Sequence, residues 1–132
     1  MDEPSVYRIS VKGVVIDDDG RVLLCREDNG KWEMMGGGID HGETPEECMH
    51  REIKEETGLE VTQMSPAPLY FFTYERRLPG KFAANIVYEI KLKDLNFTPS
   101  EECQELKFFS VDEMKKLDRL SNIDTLIEAL EK

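Results

Sequence analysis

The chain contains no apolar run of the roughly 18 residues that a membrane-spanning helix needs. No apolar stretch follows Met1-Asp2-Glu3-Pro4, so no signal peptide is expected and the chain reads as cytoplasmic. Cysteine is scarce. Cys25, Cys48 and Cys103 are odd in number and show no CxxC spacing, which excludes a disulfide framework and favours reduced thiols. Only two histidines, His41 and His50, are present. Positive charge is also short, with 17 Lys and Arg against 28 Asp and Glu, a net charge of −11. Such a surface cannot replace the counterions of duplex DNA or RNA, so stable nucleic-acid binding is excluded. A small nucleotide substrate is not excluded if divalent cations bridge the two anions. No Gly-Lys-Ser/Thr follows the glycines at 36–38, so they form no P-loop. There is no repeat, linker or low-complexity tract. Residues 1–132 read as a single domain, long enough to bury roughly two-thirds of its unfolded surface.

What is there alternates between strand and helix signals. Val6 to Ile16 and Arg21 to Glu27 read as strands around the turn Asp17-Asp18-Asp19-Gly20. Lys31 to Met35 reads as a short strand leading into the glycines. Val61 to Met64 and Leu69 to Glu75 follow, then a turn at Arg77-Leu78-Pro79-Gly80-Lys81 and a long strand from Phe82 to Leu92. Leu106 to Ser110 reads as the last strand. Ser110-Val111-Asp112-Glu113 is a capping box opening a helix, and Ile123 to Leu130 reads as the C-terminal helix. The expected class is α/β, a sandwich with a mixed central sheet and two to three helices.

The densest pattern lies between these strands. Thr44-Pro45-Glu46-Glu47 is a helix start, with Thr44 as N-cap, Pro45 at the first helical position and Glu47 closing a capping box. Gly58 is a left-handed stop. At 100° per residue, Glu52, Glu55 and Glu56 share one face with Cys48, Met49 and Ile53, while Glu46, Glu47, His50 and Lys54 fall opposite. Three carboxylates thus sit where an amphipathic helix buries its apolar stripe. Their repulsion and burial require compensation, and a hard cation is the economical candidate. With no His on that face and Cys48 read as a core residue, the carboxylate donor set fits Mg²⁺ or Mn²⁺ rather than zinc. The competing reading is a charged surface helix whose glutamates pair with Arg51 and Lys54. Residues upstream at fixed distances weigh against it.

Those distances are Gly37, five residues, Glu43, seven residues, Arg51-Glu52-Ile53, one residue, Glu55-Glu56, one residue, Gly58-Leu59. This spacing resembles the box of the Nudix hydrolase family, MutT-like members included, which cleave nucleoside diphosphates linked to another group X. The resemblance implies a Nudix-type α/β/α sandwich. It implies that Glu52, Glu55 and Glu56 bind the metal, with the Gly36 carbonyl as a further ligand. Arg51 would orient a box glutamate, and Glu43 and Gly37 would support it. Family members often add a carboxylate from a later loop, and Glu102 is the choice here, with Glu105 second. Which glutamate is the general base stays open. Met35 and Asp40 depart from the family's usual proline and glutamate.

The group X is less legible. Tyr74, Glu75 and Arg76 stand where ADP-ribose hydrolases of the family carry a proline, and the coenzyme A and NADH signatures are missing. By elimination a (d)NTP or modified nucleotide leads. Trp32, Tyr74 and Arg76 are candidate substrate contacts, although aromatics in strands more often pack in a core. A nucleotide-binding sensor domain without hydrolytic activity is the alternative, and a monomer or a homodimer fits equally.

Overall fold

The computed structural model describes residues 3–76 and 78–132. Eight strands and three helices follow in order: β1 Tyr7–Val14, β2 Val22–Arg26, β3 Trp32–Glu33, β4 Met35–Gly38, α1 Pro45–Thr57, β5 Val61–Met64, β6 Tyr70–Glu75, β7 Phe82–Leu92, β8 Glu105–Phe109, α2 Val111–Met114 and α3 Ser121–Leu130. The expected class is found. A mixed sheet with the order β4-β1-β7-β5 forms the centre, and β6 pairs with the first half of β7. Its one parallel pair is β1 with β7, running from Tyr7↔Phe82 to Val14↔Glu89.

Several boundaries differ from the sequence reading. The strands divide into two sheets, because β2 pairs with β3 and β8 rather than joining β1. Expected Lys31 to Met35 splits in two, and the glycines at 36–38 lie in edge strand β4 instead of a loop. The capping box at Ser110 opens only the four-residue α2. Arg77 of the expected turn lies outside the described residues, and Lys81 N–H closes the remainder on the Leu78 carbonyl.

Two cores flank the mixed sheet. On one side α1 packs Cys48, Met49 and Ile53 against Val11, Tyr88 and Ile90. On the other, α3 and the small sheet bury Ile123, Leu126, Leu24 and Phe109 against Val14 and Val87. The sandwich therefore has α1 outside one face and α2 and α3 outside the other, while the small sheet lends Leu23 and Cys25 to the first core and Leu24 and Phe109 to the second.

Helix α1 is fixed at both ends by local chemistry. Glu47 N–H donates to Thr44 Oγ1, and Thr44 N–H donates to Glu47 Oε1. Gly58 takes φ +72°, and its N–H donates to the Lys54 carbonyl. A side chain there would strain the left-handed backbone. We expect Thr44→Ala to cost about 1 kcal/mol of stability. A drop in denaturation midpoint with unchanged denaturant slope checks this.

Candidate active site

Strand β4 and helix α1 meet with almost no space between them. A Cβ on Gly37 would fall 2.5 Å from Glu52 Oε2, so a side chain there would displace the carboxylate from its present position. Gly36 N–H donates to Glu56 Oε1 at 2.8 Å. A third carboxylate arrives from the loop before β8. Ser100 Oγ donates to the Glu56 carbonyl at 2.7 Å, and Cys103 N–H donates to Ser100 Oγ at 3.2 Å. Pinned in this way to the last turn of α1, the loop aims Glu102 at the box. One oxygen from each of Glu52, Glu56 and Glu102 lies within 4.8 Å of the others.

Arg51 organises the same corner. Its Nε and Nη2 donate to the two oxygens of Glu43 at 2.7 and 2.8 Å, a fork that fixes the guanidinium plane. Nη1 then reaches Glu52 at 2.9 Å and Glu55 at 3.3 Å, and Nη2 the Gly38 carbonyl at 3.1 Å. The Arg51 fork and the Asp40 N–H lower the Glu43 pKa to about 2. These contacts raise the Arg51 pKa further. Glu43 thus holds Arg51, and Arg51 holds Glu52.

Glu55 is not in the cluster. Its side chain is 58% exposed and turned to Arg51. Helix geometry explains this, since Glu52 and Glu56 are one turn apart and Glu55 lies 100° off Glu56 toward solvent. Glu105 also stays outside, paired with Arg26 at 3.2 Å. The Gly36 carbonyl, expected at a metal, accepts a hydrogen bond from Lys12 Nζ at 3.1 Å.

Lys12 was missed from the sequence. It is 6% exposed, with Glu33 Oε2 at 3.7 Å. Burial works against its charge, but the carboxylates of Glu33 and Glu56 outweigh burial and raise its pKa. Burial dominates at Glu56 instead and pushes its pKa up to about 8, with Lys12 and the Gly36 N–H opposing and Glu102 and Glu52 adding to the rise.

Across the mixed sheet from α1 lies a cleft of about 690 Å³, lined by Arg8, Ser10, Lys12, Tyr74 and Arg76 among others. Tyr74 and Arg76 are therefore where a substrate group could touch them. Trp32 is not. It packs edge-on against Phe109 with ring centroids 4.7 Å apart, in the core under the small sheet, so the expected contact is corrected to a packing role. Beneath the cleft Asn122 Nδ2 donates to Glu33 Oε1 at 2.7 Å and Asn85 Oδ1 at 2.9 Å, while Asn122 Oδ1 is buried with no partner among the described residues. The sequence signal for this network was faint: a Glu, two Asn and a Lys at inward positions of otherwise apolar elements.

Three carboxylate oxygens at this spacing, one on a buried side chain, fit a hard divalent cation and no softer one. A family model described as the NUDIX domain matches residues 6–130. Over 112 residues the chain is 30% identical to an ADP-ribose pyrophosphatase of Methanocaldococcus jannaschii, covering 83% of this chain and 65% of that protein. It is 49% identical over 59 residues to a MutT-like protein of Streptomyces ambofaciens, 44% of this chain and 38% of the relative. The matches thus span about a third to two-thirds of the length of the curated relatives. A solved MutT protein from Methanosarcina mazei Go1 superposes with a TM-score of 0.80 at 23% identity, covering 98% of this chain and 96% of that one, which shows the shared fold. A UDP-X diphosphatase superposes at 0.77 with 27% identity, covering 98% and 64%.

Proposed function

The chain belongs to the NUDIX domain family, and we propose that it is a divalent-metal-dependent hydrolase opening the pyrophosphate linkage of a nucleoside diphosphate linked to X. A (d)NTP or modified nucleotide is the proposed substrate, acted on by residues 1–132 as one domain, monomeric or homodimeric. The observation carrying this reading is the convergence of Glu52, Glu56 and Glu102 within 4.8 Å, beside a strand whose last three residues are glycine.

Mg²⁺ or Mn²⁺ bound there would supply Lewis acidity toward the phosphate oxygens and acidify the attacking water. Glu52, Glu56 and Glu102 would hold it, Glu55 would join by giving up Arg51, and the second lone pair of the Gly36 carbonyl is free to help. Glu52 is the proposed proton acceptor, because it alone in the cluster is also gripped by Arg51. Arg51 keeps its carboxylate aimed while Glu43 keeps Arg51 in place. Gly36 to Gly38, on the sheet edge, let a phosphate chain pass from the carboxylates to the cleft without meeting a Cβ. Tyr74 and Arg76 flank the base or X group there, and a cleft of about 690 Å³ suits a nucleotide. The relatives are named for nucleoside triphosphates, RNA ends and ADP-ribose, so their names do not choose X.

A nucleotide panel incubated with Mg²⁺, with products resolved by chromatography, tests the reading. Release of a nucleoside monophosphate with pyrophosphate or a phosphorylated X supports it. Binding of nucleotides without any turnover would establish the sensor alternative. Within an active enzyme, Glu102→Gln is expected to lower kcat by roughly 10²-fold or more, with KM changing much less. Full activity in Glu102→Gln together with loss in Glu105→Gln would show that the loop supplies a different carboxylate.

A further inference from the structure

The last turn of an α-helix leaves its final carbonyls without partners inside the helix. In α1 a segment from far along the chain answers two of them. Thr98 N–H donates to the Thr57 carbonyl at 2.8 Å, and Ser100 Oγ donates to the Glu56 carbonyl at 2.7 Å. The Lys54 carbonyl is served locally, by Gly58 N–H. The helix end that carries Glu56 is therefore finished by the segment that carries Glu102.

The hydroxyl that reaches the helix also shapes that segment. Ser100 Oγ accepts from Cys103 N–H at 3.2 Å, while Ser100 N–H donates to the Cys103 carbonyl at 2.9 Å. Residues 100–103 thus close into a tight turn with Glu102 on it. The far side of the turn hangs on β2 and the residues after it. Gln104 N–H donates to the Arg26 carbonyl at 2.7 Å, and Asp28 N–H donates to the Glu101 carbonyl at 3.0 Å. Those bonds tie the turn to the small sheet and leave its distance from α1 unset. Among the described residues, Ser100 Oγ makes the one hydrogen bond from residues 99–104 to α1.

That bond works against a repulsion. Glu102 is exposed, and Glu52 and Glu56 each bring an oxygen within 4.8 Å of its own. Like charges so placed push apart, and an exposed turn tied only to the small sheet would yield to them. We propose that Ser100 is a positioning residue for the metal site: its hydroxyl locks the Glu102 turn to the backbone of Glu56, so that carboxylates from two separate elements keep one spacing before a cation arrives. The proposal rests on the hydrolase reading for the identity of the cation and the use made of it. Ser100 itself touches neither cation nor substrate in this role. It acts through Glu102, as residues behind a ligand commonly do.

Calorimetric titration of the full chain with Mn²⁺, without nucleotide, tests the lock apart from turnover. Ser100→Ala is expected to weaken Mn²⁺ binding roughly tenfold, and Ser100→Thr, which keeps the hydroxyl, to restore most of the loss. Thr44→Ala loosens the opposite end of the same helix and should leave Mn²⁺ affinity as it is, which separates positioning from a general loss of stability. In a Glu102→Gln background the Ser100→Ala change should shift affinity by less than about twofold, because the carboxylate it positions is already gone. With nucleotide present, raising Mg²⁺ should recover kcat in Ser100→Ala and not in Glu102→Gln. No loss in Ser100→Ala, or an equal loss with and without the Glu102 carboxylate, overturns the positioning role while the hydrolase reading stands. A parent that binds no Mn²⁺ overturns both. If the coupling is found but no nucleotide is hydrolysed, the positioning role stands and the hydrolase reading falls.

Discussion

Excess EDTA is expected to abolish the proposed hydrolysis, and Mg²⁺ or Mn²⁺ to restore it. The expectation follows from Glu52, Glu56 and Glu102, whose oxygens crowd within 4.8 Å while only Glu52 is directly bound by Arg51. Among the described residues no cation pairs with all three. A cation is needed a second time by the substrate, because a polyphosphate approaching a chain of net charge −11 must be bridged to its carboxylates. The effect has a pH dependence. Burial raises the Glu56 pKa to about 8, so below that pH the metal-free site holds a proton that a cation must displace. At limiting Mg²⁺ the rate should climb through about pH 8, and saturating Mg²⁺ should move the rise to lower pH. Activity is strongest at mildly alkaline pH on this account. Rates measured across pH at two Mg²⁺ concentrations check it, and undiminished turnover in EDTA would sink the metal assignment.

How far the sequence reaches is clear from particular residues. Helix α1 was legible because everything that bounds it is local: Thr44, Pro45 and Glu47 at one end and Gly58 at the other, each acting within four residues. Glu43 and Arg51 were named through the resemblance alone, and their direct pairing is a finding of the structure. Glu102 was placed by resemblance and by distance to the strand after it, and the structure brings it to the box through Ser100, a contact across 44 positions that no local pattern reveals. The glycines were read as a loop since three in a row suggest a turn. Pairing with β1, settled by tertiary contact, makes them a strand. Lys12 was passed over because a single charge in an apolar strand says nothing of which face it takes. Only the sheet order shows that it points at Glu33 and the Gly36 carbonyl. Trp32 failed for the converse reason. An aromatic near the box suggested stacking on a base, but β3 pairs with β2 and turns the ring onto Phe109.

Glu56→Gln should separate stability from function. Activity is expected to fall sharply, since a ligating carboxylate contributes several kcal/mol to charge stabilisation in the transition state, equivalent to roughly a hundredfold or more in rate. Stability of the metal-free protein should not fall. Glutamine retains an oxygen to accept the Gly36 N–H, and it brings no charge to a site where burial, Glu102 and Glu52 disfavour one. Lys12 opposes these effects, yet the Glu56 pKa still rises to about 8, so the ionised form is a net burden. The sign follows directly. A carboxyl whose pKa is higher folded than unfolded stabilises most below its unfolded value of 4.5, and that contribution is lost as pH rises through about 8. The metal-free parent should therefore lose stability between about pH 4.5 and 8, by at most about 1.4 kcal/mol per pH unit, and Glu56→Gln should flatten this slope. Adding Mg²⁺ reverses the ranking. The parent gains RT ln(1 + [L]/Kd), about 2.7 kcal/mol at a hundredfold excess over Kd, and the variant gains distinctly less. Paired thermal melts at pH 5 and pH 8, with and without Mg²⁺, read all of these outcomes. If the metal-free variant instead melts several degrees below the parent at pH 8, Glu56 is a structural counterion of Lys12, and the carboxylate cluster loses its main support as a metal site.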